Sequence, residues 1–389
     1  MRILLATDTF LPEVNGVTTV LAVMRDGLRR RGHDVHVLAP AYDHPIADEA
    51  GVTRLAAVPC PGYTQVRLSW PWGRGLSRTL DAFGPEVVHL VTEGPLGLFG
   101  RGYARRHRLP VASSFHTDFP RYAARYLGAW AVAPTRAWLR WFHGAAGLTQ
   151  TPSEQTRSEL LQLGLPHATV WGRGVDTGWF RPERRNAELR AELGATGRAL
   201  VLHVGRLAVE KDVATLVAAF QAAERALGGR AAFCVAGDGP KAAEVRAALP
   251  FATHLGFIDR NRLADLYAAA DLFVFPSPTE TCGLVALEAL ASGVPVIGAR
   301  AGGIPENLCE GITGRLVAPG DVAGFSSAIV ALVEDAEQRR VMGQAARAFA
   351  VARDWARELD QLEAAYARLQ WAPSAATVPS SWPTTTSVG

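Results

Sequence analysis

Two glutamates, Glu280 and Glu288, bracket a segment whose composition predicts a strand, a loop and a helix. The apolar residues 271–276 are typical of a buried strand, and a helix is predicted to begin near Gly283. The free N–H groups and positive dipole end of that helix would lie beside the strand end, a position that binds phosphate. The flanking carboxylates could accept hydrogen bonds, one from a transferred sugar and the other from a nucleotide ribose. An ordinary strand–helix unit with two solvated glutamates would show the same spacing.

Two cations, Arg206 and Lys211, stand between a predicted strand, residues 199–204, and a helix predicted to begin at Val213. At such a position, an arginine can bind a diphosphate through two parallel hydrogen bonds, and a lysine can bind it as a point charge. Lys211 and Lys241 are the only lysines of the chain, which argues against two incidental surface cations. We therefore predict a diphosphate clamp at this strand end.

His116 follows the predicted strand 111–115, and Gly16 lies where the first helix is predicted to begin. The carboxyl ends of parallel strands face the ligand crevice of an open α/β sheet, so His116 is placed for chemistry or sugar binding. A structural histidine bonded to backbone would fit the same position. Gly16, Gly302 and Gly303 would permit close approach of the backbone to a ligand, and Gly16 could equally be a plain turn residue.

The composition favours a two-domain globular protein. The chain has 389 residues, of which 48% are hydrophobic, and this length fits two domains of roughly 180 residues. Its 40 basic and 37 acidic residues give no reason to expect a nucleic-acid partner. The four cysteines lack the spacing of a disulfide framework or a zinc site. No apolar run reaches about 18 residues and no signal peptide opens the sequence, so we expect a cytoplasmic protein that could still lie on a membrane.

Predicted strands and helices alternate along the chain, which indicates an α/β fold with parallel sheets. The first strand–helix–strand unit lacks Gly-x-Gly-x-x-Gly, which counts against a dinucleotide-dependent dehydrogenase. The last residues are rich in Ser, Thr and Pro and are expected to be disordered. We predict a first domain over residues 1–181 and a second domain over residues 182–352. A final helix over residues 353–370 and a tail over residues 371–389 follow them.

Residues 121–143 have a helical pattern and combine four arginines with three tryptophans, two tyrosines and a phenylalanine. Arginine attracts anionic head groups with about 1 kcal/mol per residue near the surface, and tryptophan and tyrosine favour the membrane interface. The pattern predicts an interfacial helix that lies on an anionic membrane without spanning it. The alternative is a helix of a soluble domain, with tryptophans in the core and arginines on a solvated face.

The Glu280-x7-Glu288 spacing before Gly293-Val294-Pro295-Val296, together with the Gly-Arg…Lys pattern of residues 205–211, resembles the signature of retaining glycosyltransferases of family 4. The stretch from His116 to Pro120 and the earlier Glu-Gly-Pro-Leu-Gly of residues 93–97 are similar to the mannosyltransferase branch. The resemblance covers about residues 1 to 370. It implies the GT-B architecture, in which two Rossmann-like domains face each other and the final helix crosses back to the first. The acceptor would bind the first domain, and the nucleotide sugar mainly the second.

The resemblance also implies roles for individual residues. His116 and Glu280 would orient the sugar, while Arg206, Lys211 and the helix N-terminus would stabilise the leaving diphosphate. Glu288 would hold the ribose, Gly16 would touch the diphosphate, and the backbone near Ile258 would read the base. The residues assigned to catalysis are His116, Arg206, Lys211 and Glu280, and those assigned to donor binding are Gly16, Ile258, Cys282, Gly283, Leu284 and Glu288.

The expected reaction is the retaining transfer of a hexose, with mannose favoured, from a nucleotide-diphosphate sugar to a hydroxyl acceptor. By resemblance, GDP-mannose is the first choice of donor, and a membrane glycolipid precursor or a polyol is the expected acceptor. In the front-face mechanism favoured for the family, the leaving phosphate takes the acceptor proton and no protein nucleophile is needed. The sequence contains no Asp-x-Asp, so we expect neither a metal nor another cofactor.

Three other functions remain open from the sequence. The first is a UDP-sugar-dependent lipid transferase that moves glucose or sulfoquinovose. The second is a nucleotide-sugar epimerase, which shares the architecture and needs no acceptor. The third is a catalytically silent nucleotide-sugar-binding module, against which the presence of Arg206, Lys211, Glu280 and Glu288 argues.

Overall fold

The computed structural model describes residues 1–43, 49–60, 63–71 and 74–371. Apart from residue 371, the tail predicted to be disordered lies outside these residues. The elements of the first half are β1 (Arg2–Ala6), α1 (Gly16–Arg30), β2 (Asp34–Pro40), β3 (Val52–Leu55), β4 (Ala57–Cys60), β5 (Tyr63–Ser69), α2 (Arg74–Phe83), β6 (Val87–Leu90), α3 (Pro95–His107), β7 (Val111–Ser114), α4 (Phe119–Tyr126), α5 (Val132–His143), β8 (Leu148–Thr151), α6 (Glu154–Gln162) and β9 (Ala168–Val170).

The second half repeats the alternation of strands and helices. Its elements are α7 (Ala187–Glu192), β10 (Ala199–Val204), α8 (Val213–Leu227), β11 (Ala231–Ala236), α9 (Ala242–Ala248), β12 (Thr253–Gly256), α10 (Arg260–Ala269), β13 (Leu272–Phe275), α11 (Leu284–Ala291), β14 (Val296–Ala299), β15 (Gly314–Val317), α12 (Val322–Glu334), α13 (Ala336–Val351) and α14 (Trp355–Trp371).

Two parallel sheets organise the molecule, one in each half. The first sheet has seven strands in the order β3-β2-β1-β6-β7-β8-β9, and the second has six in the order β12-β11-β10-β13-β14-β15. Strands β10 and β11 are buried along their whole length, which explains why these segments are continuous apolar runs rather than alternating ones. In each sheet the strand order reverses once, between β1 and β6 and between β10 and β13. Ligands of open α/β sheets bind at such reversal points, beyond the carboxyl ends of the strands.

The last helix, α14, packs on the first domain rather than on the second. Leu359, Leu362 and Tyr366 are buried in the same core as β1, β2 and α1. The Tyr366 hydroxyl lies 2.5 Å from Nδ1 of the buried His89, and Arg31 of the first domain pairs with Asp360 at 2.9 Å. The α/β fold and the crossing of the final helix, both expected from the sequence, are therefore confirmed.

The prediction of one continuous helix over residues 121–143 is wrong. The segment contains two helices, α4 and α5, joined by residues 127–131 with a short 3₁₀ turn at Ala129–Ala131. The chain turns at Gly128, whose φ of 104° is one that residues with side chains rarely adopt. The periodicity is helical on both sides of this glycine, which is why the sequence reads as one continuous helix.

Candidate active site

Lys211 and Glu280 form an ion pair between the loop after β10 and the loop after β13. Lys211 Nζ lies 2.5 Å from Glu280 Oε1, and Ser277 Oγ donates to the same oxygen at 2.7 Å. The two charged side chains are 19% and 13% exposed. Burial alone would lower the pKa of Lys211, but Glu280, Tyr122 and Glu210 together outweigh burial and raise that pKa above its ordinary value. Lys211 is therefore a fixed positive charge beside Glu280.

Arg206 lies on the same loop as Lys211, directly after β10. A short 3₁₀ turn, Val209–Lys211, connects it to α8. Nη1 of Arg206 is 3.9 Å from Oε1 of Glu210, the residue that precedes Lys211. The loop thus brings two cations to the carboxyl end of β10, at the reversal point of the second sheet.

The N-terminus of α11 lies beside these cations. Gly283 precedes the helix and has no side chain that could cap its free N–H groups. The neighbouring Cys282 is buried, and burial raises the pKa of its thiol to about 11, so the thiol stays protonated. Asn307 Nδ2 donates to the Cys282 carbonyl at 2.5 Å and holds this turn in place. The turn can therefore offer backbone N–H groups, rather than a reactive thiol, to a ligand.

The first domain presents a second helix N-terminus to the same place. Gly16 opens α1, which is capped by Asn15 through hydrogen bonds from Val17 N and Thr18 N, both at 3.0 Å. A methyl group placed on Gly16 would lie 3.8 Å from Leu284 Cδ1, so the starts of α1 and α11 face each other. Two positive helix ends and two cations therefore surround one region, which suits an anion such as a diphosphate.

His116 follows β7 on the opposite wall of the cleft. Its carbonyl accepts a hydrogen bond from Thr281 Oγ1 at 2.9 Å, which joins it to the loop that carries Glu280. Burial lowers the pKa of the imidazole well below its usual range, and the positive charge of Arg173 lowers it further. A neutral imidazole has one donor and one acceptor nitrogen and can bind a hydroxyl group in either sense.

Glu288 lies one turn further along α11 and carries an unused acceptor. Its Oε2 atom is buried without a hydrogen-bond partner among the described residues. Burial raises the pKa of Glu288 to about 7, while Tyr267 and Arg260 act in the opposite direction. Ile258 lies in the turn before α10, the helix that carries Arg260 and Tyr267. It is partly buried against the hydrophobic core of the second domain. Glu288 thus lies on the side of α11 that faces α10, the helix that Ile258 precedes.

The sequence suggested that Gly302 and Gly303 permit close approach of the backbone to a ligand. In the structure both glycines pack against the backbone of the loop that carries Glu280. A Cβ atom on Gly302 would lie 2.1 Å from the Glu280 carbonyl oxygen, and one on Gly303 would lie 2.4 Å from that of Thr281. Gly303 N also donates to the Glu280 carbonyl at 2.8 Å. The two glycines instead support the loop that carries Glu280.

Several residues of this region were not predicted from the sequence. Ser277 donates to Glu280 of the ion pair, and Glu210 lies beside Arg206. The Tyr126 hydroxyl of α4 donates a hydrogen bond to Glu210. His203, near the carboxyl end of β10, lies near Lys211 and Glu280 and has its pKa lowered to about 4 by burial. Arg173 is buried between the domains beside His116 and Cys282. The available signals were weak: a histidine in an apolar strand and an arginine between two glycines.

Within the described part of the chain, no group of three or more His, Cys, Asp and Glu side chains is arranged to hold a metal ion. The described helices include none with the length and apolar character needed to cross a membrane.

The family models match almost the whole of this two-domain arrangement. The model described as Glycosyltransferase Family 4 matches residues 14–179, and the one described as Glycosyl transferases group 1 matches residues 185–349. A GDP-mannose-dependent alpha-mannosyltransferase of Mycolicibacterium smegmatis is 37% identical over 372 residues, covering 93% of this chain and 96% of that protein. The sulfoquinovosyl transferase of Arabidopsis thaliana is 36% identical over 308 residues, covering 76% of this chain and 59% of that one.

Solved structures support the same fold. The sucrose-phosphate synthase of Thermosynechococcus elongatus superposes with a TM-score of 0.76 at 22% identity, over 95% of this chain and 98% of that one. At this identity the similarity concerns the fold alone. Since the mannosyltransferase matches over nearly its full length, the chain belongs to glycosyltransferase family 4 and is a glycosyltransferase with the GT-B fold.

Proposed function

We propose that this chain transfers a mannosyl group from GDP-mannose to a hydroxyl group of a membrane glycolipid precursor, with retention of anomeric configuration. The observation that carries the proposal is the convergence of Arg206, the Lys211–Glu280 pair and the starts of α1 and α11 across the cleft from His116. Positive groups fixed around one region are suited to stabilise a leaving diphosphate. Since they would supply the charge that a metal ion otherwise brings, metal-independent turnover is part of the proposal.

The proposed division of roles follows the geometry. Arg206 and Lys211 would face the diphosphate, and Glu280 and the neutral His116 would hold sugar hydroxyls. Glu280 Oε1 already accepts hydrogen bonds from Lys211 and Ser277, which suits a positioning carboxylate better than a nucleophile. The leaving phosphate would then take the acceptor proton. The Mycolicibacterium relative is named a GDP-mannose-dependent alpha-mannosyltransferase. Because the mannose of GDP-mannose is α-linked to the diphosphate, an α-linked product would mean retention.

A second candidate is the transfer of an anionic sugar, such as sulfoquinovose, from a UDP-linked donor. Arg173 favours it, because Nη2 of this buried guanidinium has no hydrogen-bond partner among the described residues. Nη1 donates to the carbonyls of Trp171 at 2.7 Å and Gly172 at 3.1 Å. Burial lowers the pKa of Arg173 to about 10, which still leaves it charged at neutral pH. A sulfonate or carboxylate of a bound sugar would be a suitable partner.

A thermal-shift screen of GDP, UDP, ADP and their sugars separates the two candidates. A ligand that binds the folded state raises the melting temperature by mass action. We expect GDP and GDP-mannose to raise it most. A larger shift with UDP and an acidic UDP-sugar than with any guanosine ligand would replace the first candidate by the second.

Nucleotide affinity should depend on pH through Glu288. Below its pKa of about 7 the carboxyl is protonated, and only the ionised form accepts hydrogen bonds from both ribose hydroxyls. We expect GDP to bind about 10-fold more tightly at pH 8 than at pH 6 from this group alone. Calorimetric titration across this range measures the effect, and Glu288→Gln corrects for titration of the ligand itself. Equal pH dependence in the variant and the wild type would show that Glu288 does not hold the ribose.

The raised pKa of Glu288 also makes the folding stability of the protein depend on pH. Because the folded-state pKa of Glu288 is raised from 4.5 to about 7, its contribution to stability is greatest below pH 4.5 and is lost as pH rises to about 7. The ionised carboxylate that would favour nucleotide binding is therefore the form of Glu288 that lowers folding stability.

A lipid acceptor is proposed from the surface near α4 and α5. Leu127 is 60% exposed and Trp130 is 74% exposed, on the turn between the two helices. Arg136 and Arg140 are exposed on α5, which follows this turn. An exposed tryptophan and leucine next to arginines are suited to the interface of an anionic membrane.

We expect the protein to co-sediment with liposomes that contain anionic lipid, and to be released by salt. Arg136→Glu combined with Arg140→Glu should reduce the bound fraction several-fold. The control is Arg225→Glu with Arg230→Glu, an equal change of charge on exposed positions of the second domain. Equal losses in the two double variants would indicate a general charge effect. Wild-type protein that stays in the supernatant at low salt would favour a soluble acceptor.

A further inference from the structure

Glu210 is a buried carboxyl group between the two cations of the proposed diphosphate clamp. The residue is 1% exposed and stands next to Lys211 in the sequence. Its Oε1 lies 3.9 Å from Nη1 of Arg206. A carboxyl group withdrawn from water costs free energy unless it is paired or hydrogen-bonded, so its partners determine where it lies. Whatever holds Glu210 therefore also influences the position of the Arg206 guanidinium.

The hydrogen bond to the second carboxyl oxygen of Glu210 comes from the other domain. The Tyr126 hydroxyl, at the end of α4, lies 2.5 Å from Glu210 Oε2. Tyr126 is 53% exposed as a residue, so only part of the ring is covered while its hydroxyl reaches this buried carboxyl. The bond crosses the cleft and can form only when the two domains have the arrangement seen here.

Two further contacts tie this point to the rest of the site. Thr279 Oγ1 donates to the backbone carbonyl of Glu210 at 2.9 Å and joins it to the loop that carries Glu280. Tyr122, one turn before Tyr126 on α4, interacts electrostatically with Lys211. One face of α4 thus covers the loop that holds Arg206, Glu210 and Lys211.

We propose that Glu210 is a positioning residue for Arg206, and that the Tyr126 hydroxyl of the acceptor domain fixes Glu210 when the domains come together. The geometry of the diphosphate clamp then depends on the acceptor domain, although no acceptor-domain side chain belongs to the clamp. This inference rests on the proposed role of Arg206 in binding the donor diphosphate.

The test compares the binding of GDP and GMP by calorimetry, because the clamp acts on a diphosphate and has little effect on a monophosphate. We expect Tyr126→Phe and Glu210→Gln each to weaken GDP binding by about 10-fold, as for the loss of a hydrogen bond to a charged group. GMP binding should stay within about 2-fold of the wild type. Because the two residues act as one unit, the double variant should bind GDP no more weakly than the weaker single variant.

The control is Tyr103→Phe, which removes a tyrosine hydroxyl bonded to Asp81 at 2.9 Å elsewhere in the same domain. It should leave the ratio of GDP to GMP affinity unchanged. If Tyr126 had a purely structural role, Tyr126→Phe would weaken the binding of GDP and GMP equally, and that result would overturn the inference. Wild-type affinities in Tyr126→Phe would also overturn it.

Uridine and adenosine nucleotides are measured in parallel. A wild type with no preference for any diphosphate over its monophosphate would overturn the clamp itself, whereas a preference retained in both variants would overturn only this inference.

Discussion

Arg206→Ala and Lys211→Ala are each expected to lower donor turnover by about 100-fold or more. Both cations lie on one loop at the carboxyl end of β10, beside the start of α11. Fixed charges aimed at the site where negative charge develops typically contribute this much to a reaction rate. Initial rates of nucleoside diphosphate release, measured at saturating donor, provide the test.

Matched controls come from the same domain. Lys241→Ala removes the other lysine, which pairs with Glu244 at 2.5 Å, and Arg230→Ala removes an exposed arginine that pairs with Glu334 at 2.8 Å. Both controls should retain wild-type turnover. Lys211→Ala also leaves Glu280 buried without its cation, so we expect a loss of about 3 kcal/mol of folding stability. Rates are therefore compared at a temperature where circular dichroism shows every variant to be folded. Full turnover in folded Arg206→Ala or Lys211→Ala protein would contradict the clamp.

Gly302→Ala is expected to have a similarly large effect without removing a functional group. Its Cβ would lie 2.1 Å from the Glu280 carbonyl oxygen, so the loop that carries Glu280 must move. A shift of about 1 Å in a positioning group can cost 100-fold in rate. We expect kcat/KM for the donor to fall by about that factor, while the folded protein persists.

Gly311→Ala separates this clash from simple backbone strain. Gly302 and Gly311 both have positive φ, 60° and 75°, but nothing lies within 4 Å of a Cβ placed on Gly311. Both alanine variants should lose about 1–2 kcal/mol of stability from the unfavourable backbone conformation, and Gly302→Ala should lose more because its Cβ also clashes with the Glu280 carbonyl oxygen. Only Gly302→Ala should lose activity. Equal activity in the two variants would show that the position of the Glu280 loop does not limit the reaction.

The sequence was informative where local patterns decide the structure. Continuous apolar runs such as β10 and β13 identify strands covered on both faces, and the glycines and prolines around them identify the loops at the strand ends. Because residues at the carboxyl ends of parallel strands meet at one edge, the order of strands and loops along the chain is enough to assign Arg206, Lys211 and Glu280 to one region.

The sequence was uninformative where the contacts are distant in the chain or depend on a single backbone angle. Lys211 and Glu280 are 69 positions apart and Tyr126 and Glu210 are 84 apart, so no local pattern shows that they bond. Gly128 interrupts a helical periodicity that continues on both sides. The closeness of Gly302 to the Glu280 backbone depends on how two loops pack, which residue types alone do not specify.

Identifying the anomeric configuration of the product is the most direct test of the proposed transfer. The protein is incubated with GDP-mannose labelled with ¹³C at the anomeric carbon, in the presence of a polar lipid extract and excess EDTA, and the lipid fraction is analysed by NMR. We expect a new α-mannosyl lipid, formed in equal amount to the GDP released. A β-linked product, or release of free mannose and GDP at the same rate without lipid, would contradict it.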